Sequence, residues 1–140
     1  ARWNMNLSDW CAQLALPQLQ SHAENLQQRR QIAGRYTEAF ADLREKLEVP
    51  EPCPGHVWYR YVLLTPEASE AWIEELVSQG IETKRPVYAP LQRTFGLSGR
   101  FPVAEDHWRR SLSLPIYPTL TEGEQEQVIE AVKRAAGRLL

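Results

Sequence analysis

The sequence predicts an α+β fold, in which helices cover a small antiparallel sheet of three strands. Three observations lead to this prediction. Apolar residues recur at helical spacing in residues 7–47 and 121–139, whereas residues 56–64 hold the densest run of β-forming side chains. The helices have polar outer faces, so they need a sheet to pack against. A strand, a helix and a second strand also follow one another within residues 56–85.

The N-terminal region is predicted to form two helices. Ser8 suits the N-cap of the first, and Asp9 follows in the first turn, where the helix dipole favours a carboxylate. Pro17 is expected to kink or break this helix, because it removes one backbone hydrogen bond. Apolar residues of the second helix recur at seven-residue steps: Leu19, Leu26, Ala33, Phe40 and Leu47. This spacing predicts a buried seam against a sheet or a partner helix.

Residues 56–64 are predicted to form the first strand. Because successive side chains of a strand point to opposite faces, one face is entirely apolar. That face consists of Val57, Tyr59, Tyr61 and Leu63. The opposite face mixes charged and apolar residues, so we expect it to be only partly covered.

A helix and a second strand are expected next. Thr65 suits an N-cap, Pro66 suits the first helical position, and Gly80 suits the C-terminal stop. Residues 81–85 resemble a short strand, and a strand–helix–strand unit of this length forms a right-handed crossover with parallel strands. Residues 111–116 then form the third strand, which lies between the other two and antiparallel to both.

The remaining segments are a loop and two helices. Prolines and glycines interrupt residues 86–102, and a long loop within a compact domain is functional more often than not. Residues 103–110 could form two helical turns. Thr121 and Glu124 make a capping box that opens the last helix. The apolar face of this helix comprises Val128, Ile129, Val132, Ala136 and Leu139.

Composition and charge narrow the possible functions. A chain of 140 residues with 43% apolar content is expected to form one domain with a real core. Its net charge of −2 provides no basic footprint for nucleic acid. No apolar run is long enough to cross a membrane. We therefore expect neither a nucleic acid nor a membrane as a partner.

Cysteine and histidine usage points to a metal-free, cytoplasmic protein. Cys11 and Cys53 have no C-x-x-C spacing and are expected to be free thiols in a reducing cytosol. His22, His56 and His107 have no carboxylate or cysteine at ligand spacing, so we expect no metal site. The chain does not open with Met, and we expect it to be part of a longer protein.

Several short motifs occur in a fixed order along the chain. They are Asn-Met-Asn-Leu-Ser-Asp at 4–9, Leu-Pro-Gln-Leu at 16–19, Arg-Arg-Gln-Ile-Ala at 29–33, Gly-Ile-Glu-Thr at 80–83, Arg-Pro-Val-Tyr-Ala-Pro at 85–90 and Leu-Ser-Leu-Pro-Ile-Tyr-Pro at 112–118. In this order they resemble the DegT/DnrJ/EryC1/StrS family of sugar aminotransferases, which are pyridoxal 5′-phosphate (PLP) enzymes of the aspartate aminotransferase fold, fold type I.

The resemblance implies that residues 1–140 are the C-terminal small domain of such an enzyme, including its connecting helices in residues 7–47. The PLP-binding large domain, with the Schiff-base lysine, would lie upstream. Lys46, Lys84 and Lys133 do not match the family's lysine context. No catalytic residue is therefore expected in this chain, and the isolated fragment is expected to be inactive.

The resemblance also implies a reaction and partners. The whole enzyme would pass an amino group, with glutamate as the expected donor, through PLP to a keto-sugar carried by a sugar nucleotide. It would act as a homodimer. A second hypothesis is a truncated or separately encoded module that binds a ligand or a partner without catalysis.

Four residues are candidate contacts by resemblance. An asparagine in residues 4–9 would reach the cofactor phosphate of the neighbouring subunit, and both Asn4 and Asn6 match this position; the alternative is an ordinary turn before the Ser8 cap. Arg85 would contact the sugar nucleotide or its phosphates, and Tyr88 would line the substrate pocket. Their alternatives are a solvated charge at a strand end and a packing residue, respectively.

Overall fold

The computed structural model describes residues 7–97 and 99–140, so Asn4 and Asn6 lie outside the described residues. The described residues form the following elements: α1 (Asp9–Gln20), α2 (His22–Ala39), a 3-10 turn (Ala41–Leu43), β1 (Tyr61–Leu64), α3 (Glu70–Ser78), α4 (Leu91–Thr94), α5 (Pro102–Arg110), β2 (Ser111–Leu114) and α6 (Glu122–Leu139). The α+β class predicted from the sequence is confirmed.

The described residues form a sheet of two strands, so the prediction of three is wrong. β1 and β2 pair antiparallel, with Tyr61 opposite Leu114 and Leu64 opposite Ser111. The predicted strand at 81–85 is reduced to one bridge, in which the Ser113 N–H donates to the Lys84 carbonyl at 2.9 Å. Beyond Lys84 the chain turns away at a proline. β2 is nevertheless central, with β1 on one side and Lys84 on the other.

The first strand is shorter than predicted, because the backbone leaves the extended conformation at Trp58. Trp58 has φ 48°, in the left-handed region. This turn shifts the alternation of side chains, so Trp58 is buried while Val57 and Tyr59 are 50% and 71% exposed. Only the second half of the predicted apolar face, Tyr61 and Leu63, is in the core.

The N-terminal helices divide at Ser21 instead of Pro17. α1 continues through Pro17, whose carbonyl accepts the Ser21 N–H at 3.2 Å. α1 has no buried residue among those described, and Leu19 is 71% exposed. The predicted apolar seam is therefore buried only in its later part, at Ala33, Phe40 and Leu47.

The third helix begins at Glu70, so the prediction of Thr65 as its N-cap is wrong. The buried Thr65 hydroxyl donates toward the carbonyls of Glu67 and Arg110, at 2.7 and 3.0 Å. The Ser69 hydroxyl donates to the Arg109 carbonyl at 3.0 Å. These two hydroxyls join the end of β1 to the end of α5, and this tertiary connection takes the place of a cap.

The stop at Gly80 is confirmed, and its geometry is a Schellman motif. Gly80 has φ 80°, which glycine adopts without steric cost. The Gly80 N–H donates to the Val77 carbonyl at 2.9 Å, and the Ile81 N–H donates to the Leu76 carbonyl at 3.0 Å. The chain thereby turns from α3 toward the edge of β2.

The core lies between the sheet and the helices α2, α3 and α6. At its centre Tyr36 and Tyr61 meet edge to face, with ring centroids 5.2 Å apart. The Thr37 and Tyr61 hydroxyls share a buried hydrogen bond of 3.0 Å. The predicted capping box of α6 is present, and this helix buries the apolar face expected for it except for Leu139.

Candidate functional site

The candidate site is a loop that begins at Arg85 and folds back onto α5. We call residues 85–95 the Tyr88 loop. It contains α4, a single helical turn, and it places Val87, Tyr88, Leu91 and Phe95 at the surface, each at least half exposed. The loop therefore presents apolar and aromatic side chains that the described chain does not cover.

Trp108 on α5 is the anchor of this loop. Its indole Nε1–H donates to the Val87 carbonyl at 3.0 Å. The guanidinium carbons of Arg85 and Arg93 lie 4.4 and 4.0 Å from the centroid of the Trp108 ring, within range of a cation–π interaction. One side chain thus contacts both the start of the Tyr88 loop and its helical turn.

Arg85 is held by several groups of the same chain. It forms an ion pair with Glu70 and donates from Nη2 to the Arg109 carbonyl at 3.4 Å, and its side chain is 19% exposed. Its Nε is buried, and within residues 7–97 and 99–140 it has no hydrogen-bond partner. The hydrogen bond from Arg85 lowers the pKa of the Glu70 carboxyl, so this pair is charged at neutral pH.

Glu105 holds α4, the helical turn of the loop. Arg93 pairs with it at 2.8 Å, and the Gln92 side-chain amide donates to it at 3.3 Å. The hydrogen bond from Arg93 holds the pKa of Glu105 below its ordinary value. Both guanidinium groups that contact Trp108 therefore have a carboxylate partner.

The structure places the predicted substrate residues in different surroundings. The Arg85 side chain is turned toward α3 and α5, so it is not a solvated charge at a strand end. Tyr88 is 98% exposed, so it is not a packing residue within the described chain. The two residues belong to one loop, but the Arg85 side chain faces the helices and the Tyr88 side chain faces solvent.

Sequence reasoning missed Trp108, Arg93 and Glu105. One local signal could have found two of them, because Glu105 and Trp108 are three residues apart and so lie on one face of a helix. The partners of that face come from the Tyr88 loop, at a distance along the chain that no helical or strand period encodes.

The chain also presents an uncovered apolar helix. In α1, Trp10 is 84% exposed and both Leu14 and Leu19 are 71% exposed. A shallow groove of about 480 Å³ runs along this helix past Ala15 and Leu16 to His22, the first residue of α2. A run of exposed large apolar side chains on one helix is typical of an interface.

The lysines of this chain do not fit a PLP site. A lysine that forms an imine is normally desolvated or placed beside another cation, so that its amine is neutral. Lys46 is exposed, Lys84 pairs with Glu82 at 3.4 Å, and Lys133 lies 4.0 Å from Asp42 on the surface. None of these three lysines therefore has the surroundings that an imine-forming lysine requires.

The described residues contain neither a cluster of metal ligands nor a membrane-spanning helix. Within the described part of the chain, no three His, Cys, Asp or Glu side chains are grouped closely enough to hold a metal ion. The same part of the chain has no helix that is both long and apolar enough to span a membrane.

The fold is shared with solved aminotransferase structures. The structure matches that of the aminotransferase TlmJ from Streptoalloteichus hindustanus with a TM-score of 0.84 and 27% identity. This match covers 92% of the present chain and 36% of that chain. The fold therefore defines an α+β unit of the aminotransferase class.

Sequence relatives identify the family. The chain is 31% identical over 133 residues to a dTDP-4-dehydro-2,3,6-trideoxy-D-glucose 4-aminotransferase of Saccharopolyspora spinosa, across 91% of the chain and 34% of that protein. It is 29% identical over 144 residues to the spore coat polysaccharide biosynthesis protein SpsC of Bacillus subtilis, across 94% of the chain and 37% of that protein. The DegT/DnrJ/EryC1/StrS aminotransferase family model matches residues 2–133, and the chain belongs to this family.

The chain spans about a third of the length of the curated relatives it matches. A share of this size is what the C-terminal part of a family member would cover, and the sequence motifs resemble that part. The family itself was inferred correctly from the ordered motifs of the sequence.

Proposed function

We propose that this chain is the C-terminal small domain of a PLP-dependent sugar-nucleotide aminotransferase, with the connecting helices included. The observation that carries this proposal is the family match over residues 2–133, which extends through nearly the whole chain while the relatives are about three times as long. Both curated relatives act, by their names, on a deoxysugar or in polysaccharide biosynthesis. The substrate would be a keto-sugar on a nucleotide carrier, and the amino donor would be glutamate.

The chain's own part in this reaction is to complete a site formed elsewhere. PLP supplies the electron sink when it is bound. Since the lysines here do not fit its site, the imine-forming lysine belongs to the proposed large domain. The chain alone is expected to be inactive, and the active form is proposed to be a cytoplasmic homodimer.

Tyr88 is the proposed direct contact with the sugar nucleotide. Its side chain is 98% exposed at the tip of an anchored loop, so it is free to meet a ligand or a neighbouring domain. Arg85 is also proposed to contact the substrate, but its guanidinium is already paired with Glu70. A substrate phosphate would have to replace this carboxylate, and the two anions would then compete for one cation.

Asn4 and Asn6 are proposed to hold the cofactor phosphate of the neighbouring subunit. Asp in place of either asparagine would set a negative charge against the phosphate. Loss of one charge-assisted bond costs about 1.5–3 kcal/mol, so cofactor affinity should fall about tenfold or more. Spectroscopic titration of Asn4→Asp and Asn6→Asp in the full-length protein measures this. Unchanged affinity in both variants would remove the proposed role.

The experiment that tests the function uses both the chain and the longer protein. The full-length protein should convert a nucleotide-linked keto-sugar to the amino sugar in the presence of glutamate and PLP. The 140-residue chain, mixed with PLP and reduced with borohydride, should carry no stoichiometric label on a single lysine. A stoichiometric label on one lysine of the chain would contradict the proposal. So would a full-length protein that does not aminate the keto-sugar.

A further inference from the structure

We infer that Trp108 is a positioning residue, which clamps both arms of the Tyr88 loop and thereby holds Tyr88 in place for the keto-sugar substrate. This inference rests on the proposed function. It assigns to Trp108 no contact with substrate or cofactor. Its effect would pass through the backbone of the loop.

The first arm of the loop is held at its backbone and at a side chain. The Trp108 indole donates to the Val87 carbonyl, the residue next to Tyr88, at 3.0 Å. The same ring lies 4.4 Å from the guanidinium carbon of Arg85. The backbone that leads into Tyr88 is therefore tied to α5 on the N-terminal side of the tyrosine.

The second arm of the loop, the helical turn after Tyr88, is held by two side chains of α5. Arg93 lies 4.0 Å from the centroid of the Trp108 ring and pairs with Glu105, one turn earlier on α5. Gln92 donates to the same carboxylate at 3.3 Å. The helical turn that follows Tyr88 is thus tied to the same face of α5 as the first arm.

Within the described residues, no neighbouring side chain covers Tyr88. Its side chain is 98% exposed, so its position depends on the backbone on either side of it. Because Trp108 contacts both sides, loss of this one ring should release the loop at both ends. A residue that merely filled the core would instead lower the stability of the whole domain.

Exchange measurements on the chain test the clamp first. In Trp108→Leu, amide hydrogen exchange should rise in residues 86–95, while exchange in β1, β2 and α6 stays near the wild-type rate. Trp108→Phe keeps an aromatic face but loses the N–H donor, so it should give a smaller increase. Arg134→Gln is the control. Arg134 lies on α6 and donates surface hydrogen bonds to Gln79 and Glu130, so this change removes side-chain contacts at a different helix.

Kinetics of the full-length protein test the consequence. Trp108→Leu should lower kcat/KM for the keto-sugar by about tenfold, the equivalent of about 1.4 kcal/mol. Release of the oxo acid from glutamate in the absence of keto-sugar should stay within about twofold of wild type. Tyr88→Ala should show the same pattern. The double variant should have the same kcat/KM as Tyr88→Ala alone, because both changes remove the same function.

The outcomes separate this inference from the proposed function. If wild-type full-length protein does not aminate a nucleotide keto-sugar, the proposed function fails, whatever the exchange data show. If wild type is active but Trp108→Leu affects donor and keto-sugar steps equally, or adds its full loss to that of Tyr88→Ala, the positioning role is wrong. Unchanged exchange in residues 86–95 would refute the clamp itself.

Discussion

Trp58 adopts a left-handed backbone conformation, φ 48°, which bulky residues rarely occupy. Two side chains hold it there. His56 accepts the Trp58 N–H through Nδ1 at 2.9 Å. Arg29 donates to the carbonyls of Trp58 at 3.3 Å and Ile116 at 2.7 Å, and it also reaches Tyr59. A strained residue persists only where its surroundings determine it in this way.

Replacing Arg29 with Met should therefore destabilise the fold. Hydrogen bonds to a charged group are worth about 1.5–3 kcal/mol, and the freed carbonyls would lie beside a buried tryptophan. Denaturant unfolding measures the loss. Arg30→Met is the matched control, since Arg30 is the adjacent arginine and is exposed. Equal stability of the two variants would show that Arg29 does not maintain the turn.

The buried hydroxyl of Tyr61 should make the stability of the fold depend on alkaline pH. Burial raises the pKa of Tyr61 to about 12, and it raises the pKa of Tyr36 as well. The folded-state pKa thus lies above the ordinary value of about 10. The stability from a neutral Tyr61 is complete below pH 10 and is lost as the pH rises through about 12.

Unfolding free energies measured between pH 9 and about 12 test whether stability falls as the pH rises. Tyr61→Phe should lose stability at neutral pH, because Thr37 loses its partner. It should also show a shallower decline than wild type above pH 10. Tyr88→Phe, at an exposed tyrosine, should follow the wild-type curve. A decline for Tyr61→Phe as steep as that of wild type would contradict the assignment.

At the scale of the element, α1 and α6 begin with similar caps but differ in burial. The Cys11 N–H donates to the Ser8 hydroxyl at 3.3 Å, and the Glu124 N–H donates to the Thr121 hydroxyl at the same distance. α6 buries an apolar face, whereas α1 buries no residue among those described. We therefore expect the formation of α6 to be coupled to global folding, and that of α1 to be independent of it.

The two caps should respond differently to alanine. Thr121→Ala should lower the unfolding free energy by about 0.5–2 kcal/mol, the usual cost of a lost N-cap. Ser8→Ala should leave it within about 0.5 kcal/mol, while amide exchange in α1 rises. Denaturant unfolding and hydrogen exchange on both variants measure this. An equal global loss would mean that α1 is part of the cooperative fold.

At the scale of the whole molecule, the exposed apolar residues of α1 predict association of the isolated chain. Trp10, Leu14 and Leu19 are more than two-thirds exposed. Burial of apolar surface stabilises by about 25 cal/mol per Å², so helices that meet along this face should hold copies together. Without such cover we expect α1 to exchange its amides rapidly.

Sedimentation over a range of concentrations tests this expectation. Leu14→Glu should shift the chain toward monomer, because it sets a charge within the apolar face. Val77→Glu, at a valine of α3 that is 53% exposed, should not. A wild-type chain that is monomeric and has fully protected α1 amides would contradict the prediction.

Much of the helical structure could be predicted because its signals are local. The Thr121 capping box, the Gly80 stop and the helix near residues 103–110 each depend on residues within one or two turns. The prediction that a strand begins at residue 56 was wrong, because the backbone there depends on a contact that is not local. The backbone at Trp58 depends on Arg29, which is 29 residues away, and strand alternation contains no information about that contact.

The candidate site was only partly predictable. Arg85 and Tyr88 were selected by resemblance to the family. Their surroundings could not be derived from the sequence, because Glu70 and Trp108 approach Arg85 from two different helices. Cation–π and ion-pair partners of this kind depend on how the helices pack.

By itself the sequence determined the fold class, the family, the extent of helices α5 and α6 and the central place of residues 111–114. Hydrophobic period, caps and ordered motifs decided these, and all are properties of short segments. Only the tertiary structure decided that the sheet has two strands, that Tyr59 is exposed and that Trp108 contacts the Tyr88 loop at Arg85, Val87 and Arg93. The physical reason is that each of these depends on a side chain whose partner is distant along the chain, and only packing brings the two together.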